Sequence, residues 1–228
     1  MQIGMLGPLE VRTDDGRPVD VPGARLRGLL VALALSPGRA VPKAVLVDWI
    51  WGAYPPADAA NALQRLVSRL RKLLPGGAVE GLTDGYRLAV EAEAVDAVRF
   101  ERLVAAGQAR TEDVSGRVRL LREGLALWRG AALQDVGLQD SAAFDAAVVR
   151  FEGLRLTAAE ARAEADVALG RGAEVVTELT DLVAAHPVRE RLVAALMRAL
   201  VGGGGEREGG GWGRVLVPTK PRPPGSSS

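Results

Sequence analysis

The chain has 228 residues, 48% hydrophobic and 25% charged, with a net charge of +1; this is enough to bury a sizeable core in two small domains. It contains no cysteine, which excludes disulfides, thiolate metal sites and cysteine nucleophiles. Residues 1–95 hold 11 basic and 10 acidic side chains, 96–200 hold 14 and 16, and 201–228 hold 4 and 2, so a histone-like polycation is disfavoured and any nucleic-acid affinity must come from local clustering.

Met1 to Asp20 reads as a small antiparallel sheet, with strands at Gln2–Leu6, Leu9–Arg12 and Pro18–Val21 broken by Gly7-Pro8 and by Asp14-Asp15-Gly16. Ala24–Leu35 places Leu26, Leu29, Leu30 and Leu33 at helical spacing and stops at Ser36-Pro37-Gly38. A second helix is predicted from Pro42, where proline suits a first turn, to Ile50 or Trp51. Gly52-Ala53-Tyr54-Pro55-Pro56 then breaks the chain.

The next stretch, Asp58 to Leu74, is the most informative. At 100° per residue Leu63, Leu66, Val67, Leu70 and Leu74 share one side. The other side collects Asn61, Arg65, Ser68, Arg69 and Lys72, with Gln64 and Arg71 on the flanks. Four cations against one anion give this segment +3 in a chain that totals +1. Arginine and lysine neutralise phosphates, and Arg, Lys, Asn, Gln and Ser are also the side chains that read base edges in a major groove. The pattern therefore predicts a DNA-recognition helix. The alternative is an ordinary surface helix with a solvated cationic face.

Val79–Leu82 and Tyr86–Val90 are apolar runs joined across Thr83-Asp84-Gly85 and predict a closing hairpin. Three helices and a hairpin are the layout of a winged helix, whose third helix enters the major groove while the hairpin lies on the neighbouring backbone. That gives Arg87 a phosphate role, or else leaves it a solvated strand residue; Tyr86 is assigned to packing. From Asp96 onward the pattern turns to Ala, Leu, Arg and Glu at helical spacing. Helices are predicted at about 96–110, 114–129, 140–169, 174–185 and 188–200, forming a helical-repeat, TPR-like unit that offers a protein-binding surface. The fold class expected is mainly α: a winged helix-turn-helix over 1–93, a helical domain over 96–200 and a flexible Gly/Pro/Ser-rich tail over 201–228.

Ile3-Gly4-Met5-Leu6-Gly7-Pro8-Leu9-Glu10-Val11, Leu46 to Trp51-Gly52, Asn61 to Lys72 and Gly85-Tyr86-Arg87-Leu88 together resemble the OmpR-type winged helix of the SARP class of bacterial transcriptional activators. Leu127-Trp128-Arg129-Gly130 and Glu174 to Leu200, with His186-Pro187-Val188-Arg189-Glu190-Arg191-Leu192, resemble the bacterial transcriptional activator domain that follows it. The resemblance covers roughly residues 1–200. It implies an activator that binds direct repeats in double-stranded DNA about one helical turn apart and recruits RNA polymerase, often for a secondary-metabolite gene cluster such as antibiotic biosynthesis. It further implies a polymerase-contact loop at Gly52, Ala53, Tyr54, Pro55, Pro56 and Ala57, and self-association on DNA. Three positions depart from the pattern: Val45 and Trp49 stand where polar or small residues are more usual, and Asp84 puts an anion at the wing tip. The activator domain is expected to be C-terminally truncated, with the change to glycine after Leu200 read as a frameshifted or truncated gene end, or else as a native tail.

No catalytic set is legible. No Gly-rich phosphate loop ending in Gly-Lys-Ser or Gly-Lys-Thr occurs, and His186, the single histidine, precedes a proline in an interhelical turn. Neither an enzyme nor a cofactor or metal is expected. No run of about 18 apolar residues and no signal segment are present, so the expected location is the cytoplasm, with no membrane partner. The competing function is a protein-interaction scaffold, or an antagonist of a full-length regulator, whose winged helix no longer binds DNA.

Overall fold

The computed structural model describes residues 1–203; the glycine-rich run and the Pro/Ser end over 204–228, with the truncation or frameshift expected there, lie outside the described residues. In chain order the elements are β1 (Gln2–Gly4), β2 (Glu10–Arg12), α1 (Ala24–Ala34), β3 (Val41–Pro42), α2 (Lys43–Trp51), α3 (Ala59–Leu73), β4 (Val79–Gly81) and β5 (Gly85–Leu88). After a single 3-10 turn at Ala92–Ala94 follow α4 (Asp96–Ala109), α5 (Val114–Leu125), α6 (Ala142–Ala168), α7 (Gly172–Ala185) and α8 (Glu190–Gly203). This is a mainly helical chain whose N-terminal part is a winged helix.

Helix α1 is its centre. Leu26, Leu29, Leu30 and Leu33 are buried as their spacing requires, and so are Val31, Ala32 and Ala34, because α2, α3 and β5 all pack against this helix. β1 and β2 pair antiparallel with Ile3 opposite Val11. The third strand expected at Pro18–Val21 is reduced to one bridge between Arg12 and Pro18. Pro42 does not open a helix either. Its ψ of 146° is extended, it caps α2 from outside, and with Val41 it pairs to Gly85 and Tyr86. The wing is thus a three-stranded sheet in the order β3-β5-β4, not a lone hairpin. Local periodicity carries no trace of a two-residue strand whose partner lies more than 40 residues away.

Two further boundaries moved. The helix expected at 114–129 ends at Leu125, and Trp128 and Arg129 leave it to meet the N-terminal segment: the Arg129 N–H donates to the Leu6 carbonyl at 2.7 Å and the Leu133 N–H to that of Met5 at 2.9 Å. Helix α8 runs to Gly203, three residues into the expected tail.

The two halves share a core. One continuous apolar cluster holds the winged helix together with Phe100, Leu121, Phe144, Ala147, Phe151 and Ala158 of α4, α5 and α6. Polar contacts reinforce the join: the Asp96 carboxylate accepts from the Met5 N–H (2.7 Å), the Leu6 N–H (3.1 Å) and Arg129 (3.2 Å). Asp135 accepts from the Leu9 N–H at 2.7 Å, and Ser141 Oγ donates to the Trp49 carbonyl at 2.7 Å. Glycine is required at two places on this seam. A Cβ on Gly28 would stand 2.6 Å from Leu138, and one on Gly52, whose φ is +50°, would stand 1.8 Å from the Asp140 carbonyl oxygen. Among the described residues a second, smaller cluster is formed by Ala163 of α6, Val175 and Leu179 of α7, and Leu192, Ala195 and Ala199 of α8.

Candidate nucleic-acid interface

Helix α3 starts where the Asp58 side chain accepts from the Asn61 N–H at 3.0 Å, and it ends in Arg71 and Lys72, so an anion caps its positive end and cations its negative end. Leu63, Val67 and Leu70 are buried, as is Leu74 just beyond the helix, and Leu66 is half-buried at one edge. Asn61, Gln64, Arg65, Ser68, Arg69, Arg71 and Lys72 are all exposed. The seven residues are brought together on one outward surface that no other element among the described residues covers.

They do not stand alike. By helical angle Asn61, Arg65, Ser68 and Lys72 form the outermost row, Arg69 turns toward α1 and α2, and Gln64 and Arg71 turn toward the wing. Arg71 is anchored there, its Nε donating to the Val79 carbonyl at 2.9 Å and its guanidinium lying 5.9 Å from the Tyr86 ring centre. It fastens α3 to the wing as much as it faces outward. Tyr86 is buried, as its assignment to packing requires.

Arg87 is engaged within the wing. The register of β4 and β5 sets Glu80 directly opposite it, and the two form a salt bridge with Nε donating to Glu80 Oε2 at 2.9 Å. It is half-buried and paired, neither a free cation nor a solvated strand residue. The wing tip carries a different cation instead. Lys43, exposed at the start of α2, donates through Nζ to the Thr83 carbonyl at 3.1 Å and through its N–H to the Asp84 carbonyl at 3.0 Å. This places a positive charge beside the anion noted in the sequence, and only the strand pairing of Pro42 with Gly85 reveals it.

Charge pairing separates this surface from the rest. Eleven of the fourteen arginines between residues 96 and 200 lie within 4 Å of an acidic side chain. Among the eleven cations of residues 1–95, only Arg12, Arg17, Arg27 and Arg87 do so. Of the seven left unpaired among the described residues, Arg65, Arg69, Arg71 and Lys72 are on α3, Lys43 is at the wing tip, Arg25 stands on α1 near Arg69, and Arg39 alone lies apart, in the turn after α1. The net charge of either half hides this concentration.

The loop between α2 and α3 is fixed at its start and open beyond. Gly52 sits against Asp140, while Ala53, Tyr54, Pro55, Pro56 and Ala57 are exposed, Tyr54 by 74%. Val45, a departure from the family pattern, is likewise exposed. Trp49 is buried and packs edge-on against Phe144 of α6 with ring centres 6.1 Å apart, so the second departure serves the seam between the halves. No helix among the described residues is long and apolar enough to cross a membrane.

The family model for the bacterial transcriptional activator domain matches residues 95–209. The transcriptional regulator RedD of Streptomyces coelicolor is 38% identical over 209 residues, which cover 88% of this chain and 59% of RedD. The regulatory protein DnrI of Streptomyces peucetius is 38% identical over 215 residues, 88% of this chain and 77% of DnrI. Among solved structures, Mycobacterium tuberculosis EmbR in complex with a low affinity phosphopeptide superposes with a TM-score of 0.80 at 31% identity, over 89% of this chain and 55% of that one. The chain thus spans little more than half the length of RedD and of EmbR.

Proposed function

From the premise that the chain belongs to the SARP class of bacterial transcriptional activators, we propose that it is a sequence-specific activator that lays α3 into the major groove of double-stranded DNA at direct repeats about one helical turn apart. The observation that carries this reading is the gathering of unpaired cations on one exposed face in a protein that elsewhere pairs its arginines. Arg65, Arg69 and Lys72 then neutralise phosphates, and Asn61, Gln64 and Ser68 contact base edges. The wing approaches the backbone through Lys43, with Arg71 holding the wing to α3. Tyr54 and the exposed residues around it, Ala53 to Ala57, contact RNA polymerase. The helical domain, whose outer helices add no further unpaired cluster of charge, supports protein contacts including self-association along the repeats. The regulated genes are those of a secondary-metabolite cluster. We assign no catalytic role to any residue, the named relatives being regulators.

Selection of genomic fragments by the purified chain tests this directly. It is expected to enrich a promoter-proximal site made of two repeats in the same orientation, and in-vitro transcription from that site is expected to rise with the protein and to lose the rise in a Tyr54→Ala variant that still binds. Failure to enrich any sequence would contradict the reading and favour a protein-interaction scaffold.

A further inference from the structure

Beside α3 runs an open cleft of about 510 Å3 in which Arg25 of α1 joins Arg65, Leu66 and Arg69 of α3, with Trp51 and Tyr54 on the wall. No acidic side chain lines it, and none of the three arginines has an acidic partner within 4 Å among the described residues. The cleft continues toward α6 into a second hollow of about 550 Å3 where Asp140 joins Arg25 and Arg69, still outnumbered. Like charges gathered without an acid repel one another in the free protein, and a bound anion relieves that repulsion.

Position identifies the anion. Arg69 and Arg25 lie on the side of α3 turned away from the wing, whereas Arg71 is bonded to Val79 on the wing side. A helix seated in a major groove roughly 12 Å wide has a phosphate strand on each side. The wing meets one. We propose that Arg25, with Arg69, binds phosphates of the opposite strand, so that α1 supplies the second wall of the clamp around the groove. The inference rests on the DNA-binding reading above and adds to it a residue, a ligand and a strand. Arg25 is exposed and makes no ion pair among the described residues, so its place on a leucine-rich helix is explained by this contact and not by packing.

The test is phosphate-ethylation interference together with salt titration on the selected operator, using the wild-type chain, Arg25→Ala, Arg25→Lys and, as a control, Arg119→Ala, which removes another exposed and unpaired arginine on α5. Arg25→Ala is expected to weaken binding about fivefold to tenfold on every operator variant alike, to reduce the salt slope by about 0.9, and to lose interference on one strand only, the one the wing does not meet. Arg25→Lys is expected to keep the slope, and Arg119→Ala to match the wild type. Wild-type slope and interference in Arg25→Ala, with the wild-type chain binding, would overturn this proposal alone. Absence of binding by the wild-type chain would overturn it together with the DNA-binding reading.

Discussion

The two halves of the molecule treat arginine in opposite ways. The helical half ties most of its guanidiniums to carboxylates, several of them buried, such as Asp166 with Arg122 at 2.9 Å. The winged helix keeps most of its cations unpaired and turns them to one surface. Net charges of +1 and −2 would never separate these regions. Charge in the winged helix is left available to a partner, and charge in the helical half is neutralised inside the fold, so mutating arginines should produce two unlike phenotypes.

The largest effect belongs to the paired half. Arg189 bonds Glu160 at 3.1 Å, and the Glu160 side chain is only 4% exposed. Arg189→Ala strands that carboxylate and is expected to cost about 3 kcal/mol of stability, measured by denaturant unfolding, with DNA affinity unchanged in native buffer. An unaltered stability, or a loss of DNA binding, would blur the division. Next comes the seam between the halves. Asp96→Ala leaves the Met5 and Leu6 N–H groups without their acceptor and is expected to cost about 2 to 3 kcal/mol. Burial raises the Asp96 pKa, outweighing the lowering by the Met5 and Leu6 N–H groups and by Arg129. Folding therefore disfavours the ionised form relative to the protonated one, so the proton-linked part of the stability is present at low pH and lost as pH rises through the folded pKa, while the acceptance of the two N–H groups remains.

Asn61→Ala and Ser68→Ala sharpen the contrast from the other side. Each is expected to leave unfolding unchanged while reducing discrimination between the operator and single-base variants by about 1 to 3 kcal/mol, read in competition binding. Arg87→Ala is the exception that checks the rule, because this cation is paired within the unpaired half. Its removal is expected to change DNA affinity less than about twofold, and a tenfold loss would restore the phosphate role that the sequence suggests. The smallest effect is at Asp113, which caps α5 through the Gly116 N–H at 2.8 Å. That bond, followed by Arg110, lowers its pKa from 3.8. The stability it contributes is present above that value and lost as pH falls through the folded pKa. Asp113→Asn keeps the cap, and is expected to flatten the acid limb of the stability profile seen by thermal unfolding.

What the sequence discloses follows the range of the interactions involved. The two faces of α3 are a local, 3.6-residue property, and its buried and exposed residues fall as their angles dictate, Leu66 alone sitting at the margin. The winged-helix layout and the order of the helices were legible for the same reason. Pairings between distant segments were not. Strand β3 is two residues long and found only by its partner, and with it goes the place of Lys43. Trp128 and Arg129 extend a helical pattern that Leu6 and Asp96 interrupt from far away in the chain. The Arg87–Glu80 pair was not legible either: a loop at Thr83-Asp84-Gly85 would set Leu82 against Tyr86 and Glu80 against Leu88, whereas Gly81 is the partner of Tyr86 and Glu80 that of Arg87. Nor was Arg25, because its meaning depends on Arg69 standing across a cleft.

The account stands on α3 offering its unpaired cations to a duplex. Its most direct test is the salt dependence of operator binding by the wild-type chain and by a variant carrying Arg65→Ala, Arg69→Ala and Lys72→Ala together. The slope of log affinity against log salt is expected to fall by about 2.7, roughly 0.9 for each phosphate contact removed, with the unfolding transition unmoved. An operator bound with the same slope by both proteins would contradict the claim.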